Sequence, residues 1–415
     1  MKIAILSRWL WQEYSRAGQR WEGTLIDLLL ALQQRGHQIF ALSQSHDFLG
    51  QPLKKICSVP NAPFDLWLVP LKNRHHHWSI IDKLAKPFVS ERKAFTDAHW
   101  LKQWIQSIPK PDLLWIYGEK SDAIPYFLSK TILRAPLPPA CLQINAFPCH
   151  VTPQKITFEK RNFFYSVWNQ ATCLAVNSSL SEKILSTQYR IPQKKMLRYR
   201  VNLTHRHLAL SATPRTTAAS SNTLLYIGGL SPLKAPDLVM EVIERHKASF
   251  QNWHLRFRCI MPTTEGLTPF ASSVLERAKI LESQGLVQID SRLDPESIAQ
   301  AIQSASLIIV PSRIETFSRV ALEALLNARP VIISSQAGAA EVIEMSQAGL
   351  VFSSGSSDAL FQAITTWQQQ RTTFETRALH ASKLVAAEYH PLSCAEIWEE
   401  IFTKTTSSIS SESKF

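Results

Sequence analysis

The sequence predicts an α/β protein with two domains, each built on a parallel β-sheet that is covered on both faces. Short, wholly apolar runs rich in β-branched residues, such as Leu307–Val310 and Val331–Ile333, are typical of parallel strands buried on both sides. Segments with helical spacing of apolar residues alternate with these runs along the chain. The length of 415 residues is enough for two domains of roughly 200 residues each.

The first domain is predicted to cover residues 1–207. It opens with a strand at Lys2–Ser7, followed by an amphipathic helix at Trp21–Gln34 that Gly36 closes. The string RGHQIFALS carries the next strand. The same alternation predicts three further strands, at Pro111–Tyr117, Ala140–Ile144 and Cys173–Ser179.

A linker is predicted at 208–222, where the string LALSATPRTTAASSN has no apolar period and many small polar residues. The second domain, 223–390, begins with a strand in TLLYIGG and a helix from about Pro236. It continues through the strands HLRFRCI, LVQID, LIIV and GLVF. A last helix is expected near Cys394–Lys404, within a segment 391–404, and the tail 405–415 is expected to be mobile.

The stretch Pro311–Ser335 sets two glutamates between two buried strands. Glu315 is predicted in the loop after the first strand, at the carboxyl edge where open α/β sheets bind ligands. Glu323 would lie about 9 Å further along a helix that begins near Phe317. Carboxylates accept hydrogen bonds from sugar hydroxyls and helix N-termini hold phosphate, so this spacing suits a nucleotide sugar. The alternative is two solvated glutamates at a helix start, where acidic side chains favour the helix dipole.

The string ETFSRVALE, with its flanking PS, EAL, RPVI and AGAAE, resembles family 4 of the retaining glycosyltransferases, within glycosyl transferases group 1. The resemblance implies the GT-B architecture, in which two Rossmann-like domains with parallel sheets face each other across an interdomain cleft. It implies that the first domain binds the acceptor and the second binds the nucleotide sugar, and that the last helix crosses back to the first domain. It also places Glu315 near the donor sugar and Glu323 on the ribose.

The resemblance assigns the donor's diphosphate to the loop GGLSPLKAPD, where Lys234 matches the family's lysine. The family's arginine position holds Gly229, next to Gly228, and the glycine that usually follows the lysine is Ala235. Arg313 and Arg319 are candidates to replace the missing cation. The remaining donor contacts are expected from the loop Thr316, Phe317 and Ser318, from the amides around Gly338, and from Glu341, which alternatively favours its helix N-terminus.

The N-terminal domain departs from the family at Asn145, which stands where a histidine is common and which we expect to belong to the catalytic set. An asparagine can hydrogen-bond a sugar hydroxyl but cannot act as a base. His150, a few residues on, could take the histidine's place, although an ordinary loop histidine is the alternative. The first loop keeps Gly18 as a donor-contact candidate, and Gly23, from the family's glycine-rich pattern.

Charge is distributed unevenly along the chain. Residues 1–200 hold 27 Lys and Arg against 13 Asp and Glu, whereas the remainder holds 18 against 20. The basic excess favours an anionic glycan or glycolipid acceptor, or contact with an anionic membrane surface. The stretch Asn73–Trp104 interleaves basic residues with Trp78, Trp100 and Trp104, and either packs on the sheet or faces a membrane. No nucleic-acid-binding module accompanies the charge, so nucleic acid is not expected as a partner.

Six cysteines show no paired spacing and are expected to be reduced core residues. No metal site and no cofactor beyond the nucleotide-diphosphate sugar are predicted; the run His75–His77 lacks metal-site spacing. Met1 leads directly into a core strand and no stretch approaches 18 uninterrupted apolar residues. A cytoplasmic protein with contact at the inner face of the plasma membrane is therefore expected.

The sequence therefore predicts a retaining, metal-independent glycosyltransferase that moves a sugar to a glycan or lipid-linked acceptor in cell-envelope or exopolysaccharide biosynthesis. The alternative is a nucleotide-sugar-binding protein of the same fold with weakened catalysis, which Gly229 and Asn145 motivate. Nothing in the sequence selects the nucleotide, the sugar or the acceptor.

Overall fold

The computed structural model describes residues 1–16, 22–45, 47–48, 51–52, 56–70, 94–120, 122–147, 158–211, 222–261, 268–291 and 294–412. The chain divides into two compact units. The first unit comprises Met1–Asn177, Ser181–Thr204 and Pro391–Phe415, and the second comprises Ser178–Leu180 and His205–His390.

The described part of the first unit contains an eight-stranded sheet with the strand order β10-β9-β8-β7-β1-β2-β6-β5. Neighbouring strands are parallel, except that β5 runs antiparallel to β6. The strands of this sheet are β1 (Lys2–Leu6), β2 (Gln38–Ser45), β5 (Cys57–Ser58), β6 (Asp65–Pro70), β7 (Leu113–Ile116), β8 (Ala140–Gln143), β9 (Cys173–Val176) and β10 (Met196–Arg198). Two short strands, β3 (Asp47–Phe48) and β4 (Gln51–Pro52), form a separate antiparallel pair.

The helices described in or entering the first unit are α1 (Leu10–Arg16), α2 (Thr24–Gln34), α3 (Ala94–Ser107), α4 (Ala123–Thr131), α5 (Phe158–Trp168) and α6 (Ser179–Gln188). Helix α2 buries an apolar face that includes Leu25, Leu28 and Leu32, and it ends as predicted at Gly36, where φ is 87°. The loop predicted before it is partly helical, because α1 occupies residues 10–16.

The described part of the second unit contains a wholly parallel six-stranded sheet with the order β13-β12-β11-β14-β15-β16. Its strands are β11 (Thr223–Ile227), β12 (Arg256–Ile260), β13 (Val287–Asp290), β14 (Leu307–Val310), β15 (Val331–Ser334) and β16 (Gly349–Phe352). Every residue of β14 and β15 is buried, as the apolar runs predicted. The α/β fold with two parallel sheets is thereby confirmed.

The helices of the second unit are α7 (His205–Ser211), α8 (Pro236–Arg245), α9 (Lys247–Asn252), α10 (Pro269–Ser283), α11 (Pro295–Ser304), α12 (Arg319–Leu326), α13 (Ala340–Ser346), α14 (Ser357–Gln369) and α15 (Arg371–Glu388). Helix α7 includes 208–211, so the predicted linker 208–222 was wrong in its first four residues. The rest of it, up to residue 221, lies outside the described residues.

The last helix, α16 (Pro391–Glu412), packs on the first unit. Trp398 is fully buried, and its ring centroid lies 4.4 Å from that of Trp115 on β7. At the turn between α2 and β2, Arg35 binds Glu399 through two nitrogens at 2.8 Å, and His37 Nε2 lies 2.8 Å from the same carboxylate. Arg35 and His37 of the RGH string therefore anchor α16 to the turn between α2 and β2.

The prediction of a mobile tail from Thr405 was wrong for most of its length. Thr405 is buried in α16, and its hydroxyl lies 2.9 Å from Cys173 Sγ. The helix continues to Glu412, and the last three residues lie outside the described part of the chain. Serine and threonine side chains can be accommodated here because their hydroxyls bond to carbonyls one turn back, as Thr405 does to Ile401.

The basic and aromatic stretch Asn73–Trp104 lies outside the described residues up to residue 93, and its remainder forms α3. Trp104 is fully buried, and its ring centroid lies 6.3 Å from that of Trp67 on β6. Ala98 and Leu101 are also buried. This end of the stretch therefore packs on the sheet, the first of the two alternatives. Within the described ranges, no helix is long and apolar enough to cross a bilayer.

Candidate functional site

The strand order of the second sheet reverses beside β11, which lies between β12 and β14. Successive crossovers leave opposite faces of the sheet at such a point, so the carboxyl ends of the two strands flank an open crevice where α/β proteins bind ligands. Residues 228–235 follow β11 and residues 311–318 follow β14. The two loops that carry most of the predicted donor residues therefore lie side by side.

Lys234 and Glu315 meet at this crevice. Lys234 Nζ lies 2.5 Å from Glu315 Oε1, and Ser312 Oγ donates to the other carboxylate oxygen at 2.8 Å. The Lys234 side chain is 38% exposed and the Glu315 side chain 17%, so the ammonium is open to an incoming anion. Two residues predicted to act at the donor's diphosphate and sugar thus form one ion pair.

The loop that carries Lys234 is fixed from two sides. The Tyr226 hydroxyl lies 3.3 Å from the carbonyl oxygen of Gly229 and 3.4 Å from that of Lys234. The guanidinium of Arg313 binds the carboxylate of Asp237 at 2.8 and 2.6 Å and also donates to the Pro232 carbonyl at 2.8 Å. Hydrogen bonding to Asp237 raises the pKa of Arg313. Arg313 therefore braces the loop with its charge balanced by Asp237, which does not favour it as a replacement for the missing family arginine; Arg319 is exposed at the start of α12.

The loop after β14 is joined to the loop after β15 by main-chain hydrogen bonds. Glu315 N donates to Gln336 O at 2.9 Å, Gly338 N donates to Glu315 O at 3.0 Å, and Ala339 N donates to Phe317 O at 2.8 Å. The amides of Gly338 and Ala339 donate to these carbonyls, and the assignment of the diphosphate to amides around Gly338 stays a prediction. Glycine is required at 338 by close packing, since a Cβ there would lie 2.0 Å from the Thr316 carbonyl oxygen.

Two residues that carry a Cβ atom, Ser318 and Ala235, have a left-handed backbone in this chain, and Ala235 stands where the family has glycine. Ser318, immediately before α12, has φ 112° and ψ 97°, and Ala235, immediately before α8, has φ 50° and ψ 46°. Both residues are buried. Residues with a Cβ atom are strained in these regions, so the two loops hold their backbone conformation at some conformational cost. Phe317, predicted at the donor, is also buried, with its ring 6.4 Å from that of Tyr389.

The two glycines of the β11 loop differ in the space around them. A Cβ atom on Gly228 would lie 2.4 Å from the Tyr226 hydroxyl, whereas a Cβ atom on Gly229 would meet nothing within 4 Å among the described atoms. Gly228 is therefore required by packing. Gly229, at the family's arginine position, has room for a side chain.

Glu323 lies in α12, which begins at Arg319, two residues later than predicted. Its side chain is 16% exposed, and Oε1 lies 3.5 Å from His207 Nε2 of α7. A ribose bound by Glu323 would share the carboxylate with His207, a residue that sequence reasoning missed because no local pattern connects the two helices. Glu341, in the first turn of α13, accepts hydrogen bonds from the amide and hydroxyl of Ser179 at 3.1 and 2.5 Å.

Asn145, predicted to contact sugar, is held inside the first unit by three hydrogen bonds. Its amide nitrogen donates to the Tyr117 carbonyl at 2.6 Å, and its oxygen accepts from Gln143 Nε2 at 2.8 Å and from the Tyr199 hydroxyl at 2.9 Å. Gln143 in turn accepts from the buried Trp115 indole at 3.0 Å. These bonds give Asn145 a structural role, and its expected role in the catalytic set stays a prediction. Gly18 and His150 lie outside the described residues.

A second ion pair, not predicted from the sequence, lies at the corresponding point of the first sheet. Strand order reverses beside β1, and the residues after β1 and β7 bring Arg8 Nε within 3.5 Å of Asp122 Oδ1. Asp122 is 2% exposed. Burial raises the pKa of Asp122 to about 7, although the charge and the main-chain amide of Arg8 lower it, and Glu119 and Asp97 raise it further. No sequence motif links Arg8 to Asp122.

The described part of the chain holds no cluster of three or more His, Cys, Asp or Glu side chains arranged to bind a metal ion. Cys57, Cys141, Cys173, Cys259 and Cys394 are free thiols, and all of them except Cys57 are buried. Cys149 lies outside the described residues.

The raised pKa of Asp122 predicts a pH dependence of stability. The ordinary pKa of an aspartate is 3.8 and burial raises that of Asp122 to about 7, so between these values the folded chain binds more protons than the unfolded chain. This group therefore lowers the free energy of unfolding as pH rises through that window, by at most about 1.4 kcal/mol per pH unit. Urea unfolding of the wild type and Asp122→Asn at pH 5 and pH 8 should show the variant gaining relative stability at pH 8. A difference independent of pH would contradict the assignment.

The backbone at Ser318 predicts a stabilising substitution. Ser318→Gly removes the Cβ strain at φ 112° and should raise the free energy of unfolding by roughly 1 kcal/mol. Ser318→Ala is the matched control, because it removes the hydroxyl and keeps the Cβ atom. Denaturant titration of the two variants measures the effect, and equal stability of the glycine and alanine variants would show that backbone strain is not its source.

The relationships of the chain to known proteins agree with this site. Residues 221–370 match the profile of the family described as glycosyl transferases group 1. D-inositol 3-phosphate glycosyltransferases are similar over part of their length. That of Kineococcus radiotolerans is 30% identical over 124 residues, covering 29% of this chain and 28% of the relative, and that of a Nocardioides species is 29% identical over 138 residues, covering 31% and 30%.

Solved structures match nearly the whole chain at low sequence identity. Sucrose-phosphate synthase from Thermosynechococcus elongatus has a TM-score of 0.71 at 14% identity, with 98% of this chain and 100% of that chain covered. Anabaena HepE in complex with UDP and glucose has a TM-score of 0.69 at 15% identity, with 97% and 99% covered. The chain therefore has the fold of GT-B glycosyltransferases, and its residues 221–370 resemble glycosyl transferases group 1.

Proposed function

We propose that the protein is a retaining glycosyltransferase of the hexosyltransferase type, which moves a sugar from a nucleotide-diphosphate donor to a glycan or lipid-linked acceptor. The observation that carries the proposal is the Lys234–Glu315 ion pair at the carboxyl edge of the second sheet, inside the segment that the family profile matches. The named activity of the similar D-inositol 3-phosphate glycosyltransferases supports it, as do structural neighbours solved with UDP and glucose.

The donor's diphosphate would bind Lys234. An ammonium donates up to three hydrogen bonds, so Lys234 can hold phosphate oxygens as Glu315 turns to accept from a sugar hydroxyl. Lys234 lies just before the N-terminus of α8, where the helix dipole adds positive potential. Both effects stabilise charge that grows on the leaving diphosphate, and they matter most in the transition state. We propose that no metal ion is needed for this step.

The ribose would bind Glu323. Its carboxylate is mostly buried, and hydrogen bonds to a charged group are stronger when water is excluded. His207 lies against the same carboxylate and limits the directions from which ribose hydroxyls can approach. Thr316, Phe317 and Ser318 would contribute through the main-chain path between Glu315 and α12, since Phe317 and Ser318 are buried.

The acceptor is proposed to be an anionic glycan or glycolipid, used in cell-envelope or exopolysaccharide biosynthesis. The motive is the basic excess of residues 1–200, which hold 27 Lys and Arg against 13 Asp and Glu. A cytoplasmic location with peripheral contact at the inner face of the plasma membrane would bring such an acceptor within reach. Nucleic acid is not proposed as a partner.

A nucleotide-sugar-binding protein with weakened catalysis is the second candidate. Gly229 leaves the family's arginine position without a cation, and Arg313 is already bound to Asp237. Asn145 is also engaged in an internal network. Both candidates bind the donor, so turnover distinguishes them.

The proposed function is tested by measuring nucleoside diphosphate release from a panel of nucleotide sugars. The wild type should release product with at least one donor, and EDTA should leave the rate unchanged.

Glu315→Gln should lower turnover while affinity for the free nucleoside diphosphate stays near that of the wild type. Glu323→Ala should weaken that affinity by about 1.5–3 kcal/mol, because it removes hydrogen bonds to a charged group. If the protein binds nucleotide sugars but turns over none of the panel, the second candidate is favoured. If it binds none of them, both candidates are contradicted.

Restoring the family's cation should increase turnover. Gly229→Arg places a guanidinium where the described structure has open space, and it should raise kcat/KM about tenfold or more through a charge-assisted hydrogen bond to the diphosphate. Gly229→Ala is the control, since it introduces a Cβ atom without charge. A gain equal in both variants, or no gain in the arginine variant, would show that the chain does not lack a cation at this point.

Membrane contact is tested by sedimentation with vesicles. Binding should require anionic lipid and decline as salt rises, since each Lys or Arg near an anionic leaflet contributes about 1 kcal/mol and is screened over about 8 Å. Joint substitution of Lys83, Lys86, Arg92 and Lys93 by Gln should abolish sedimentation without changing nucleotide binding. These residues lie outside the described part of the chain. Absence of sedimentation with anionic vesicles at low salt would contradict membrane contact and favour a soluble acceptor.

A further inference from the structure

The first sheet has its own ligand crevice at the reversal of strand order beside β1. Strand β1 lies between β7 and β2, so the residues after β1 and those after β7 flank the carboxyl edge where open α/β sheets bind ligands. Ser7 and Arg8 follow β1, and residues 117–122 follow β7. Asn145, the residue that the sequence suggested in this domain, is bonded to Tyr117, Gln143 and Tyr199, and other side chains line this crevice.

A small cavity of about 10 Å³ opens at this crevice, lined by Arg8, Ser43, Gln44, Asp97 and Asp122 among others. This volume corresponds to about one water molecule or hydroxyl group. It lies within the first unit, and its lining comes from the ends of β1, β2 and β6, from α3 and from the start of α4.

Asp122 is the side chain that points to a ligand. It is 2% exposed, and Oδ1 pairs with Arg8 Nε, but Oδ2 is buried without a hydrogen-bond partner among the described residues. Ser7 Oγ, at the end of β1, is likewise buried without a hydrogen-bond partner there. Buried polar atoms in folded proteins are almost always satisfied, and the cost of leaving one unsatisfied is high, so Asp122 Oδ2, whose residue lines the cavity, indicates a missing polar group there.

The charges around the cavity select the kind of group. Arg8 is the cation that lines it, whereas Asp97 and Asp122 line it as carboxyls and Glu119 lies near enough to Asp122 to raise its pKa. A phosphate or carboxylate would be repelled by this set of acids. A hydroxyl group both donates and accepts hydrogen bonds and carries no charge, so it can satisfy Asp122 Oδ2 in either protonation state.

We propose that this crevice receives a hydroxyl group of the acceptor, presented by a sugar ring or another uncharged polyol, with Asp122 Oδ2 as its hydrogen-bond partner. Arg8 holds the other carboxylate oxygen and thereby orients Asp122. The inference rests on the proposed glycosyltransferase function, because it assigns the acceptor side of the same reaction. Any anionic group of the acceptor then binds basic residues outside this cavity.

The test measures binding of D-glucose and myo-inositol by calorimetry, with wild type, Asp122→Asn and Val69→Leu. Asp122→Asn should raise the dissociation constant at least tenfold for a polyol that the wild type binds. Val69→Leu narrows the same cavity without altering a polar group, and should weaken binding in the same direction even if Asp122→Asn fails to fold. Asp112→Asn is the matched control, because Asp112 is an exposed carboxylate at the opposite end of β7 that accepts from Lys2 N.

Three results would overturn the proposal. They are failure of the wild type to bind either polyol, equal dissociation constants in the wild type and in both cavity variants, and competition by inorganic phosphate, which would indicate an anion site. Nucleotide-sugar binding is titrated in the same samples and should be unchanged in Asp122→Asn. If the wild type does not bind nucleotide sugars, the proposed function is contradicted. The polyol titrations still test whether the crevice binds a polyol.

Discussion

The reversal of strand order beside the first strand of each sheet is the constraint from which the candidate sites follow. Every strand pair of the second sheet is parallel, so helices cover both faces and ligands can reach the interior only at an edge. Where the order reverses, beside β1 and beside β11, consecutive crossovers leave opposite faces and the carboxyl ends of two strands stand uncovered. Each of these points holds a cation–carboxylate pair, Arg8 with Asp122 and Lys234 with Glu315.

The second unit keeps its loops in place by contacts that do not involve a ligand. Tyr226 lies against the carbonyls of the β11 loop, the Arg313–Asp237 pair braces it from the neighbouring loop, and the Glu315–Ala337 bridge extends the sheet by one step beyond β14 and β15. These contacts hold Ser318 and Ala235 in backbone conformations that suit glycine. A site whose geometry exists before the donor arrives spends less of its binding free energy on ordering loops.

The sequence was sufficient to predict the elements whose burial is local and periodic. Apolar runs identified β1, β14 and β15, and the position of Glu315 followed because a charged residue just after a buried parallel strand must lie at the carboxyl edge. Helix α16 beyond Lys404 could not be predicted in this way, because its serines and threonines resemble a tail and only the distant Cys173 shows that Thr405 is buried. The pairs Arg313–Asp237, His207–Glu323 and Arg8–Asp122 were also beyond reach, since each joins residues that only the folded topology brings together. The expected role of Asn145 came from its place after β8, and the side chains of Gln143 and Tyr199 that occupy it could not be read from that place.

The two cation–carboxylate pairs differ in a way that matches the chemistry proposed for each. Lys234 is partly exposed, and its Nζ lies 2.5 Å from Glu315 Oε1. An anion can therefore approach the ammonium from solvent and pair with it in place of Glu315. Arg8 lies 3.5 Å from a carboxyl that is almost completely buried, with Asp97 and Glu119 nearby, so an entering anion would meet repulsion and would lose its hydration. A neutral hydroxyl is not repelled by the acids and loses less hydration than an anion, and it can hydrogen-bond the buried Oδ2 of Asp122. The same topological position therefore favours a diphosphate in one unit and a polyol in the other, because exposure and the balance of neighbouring charge decide which ligand each pair can hold.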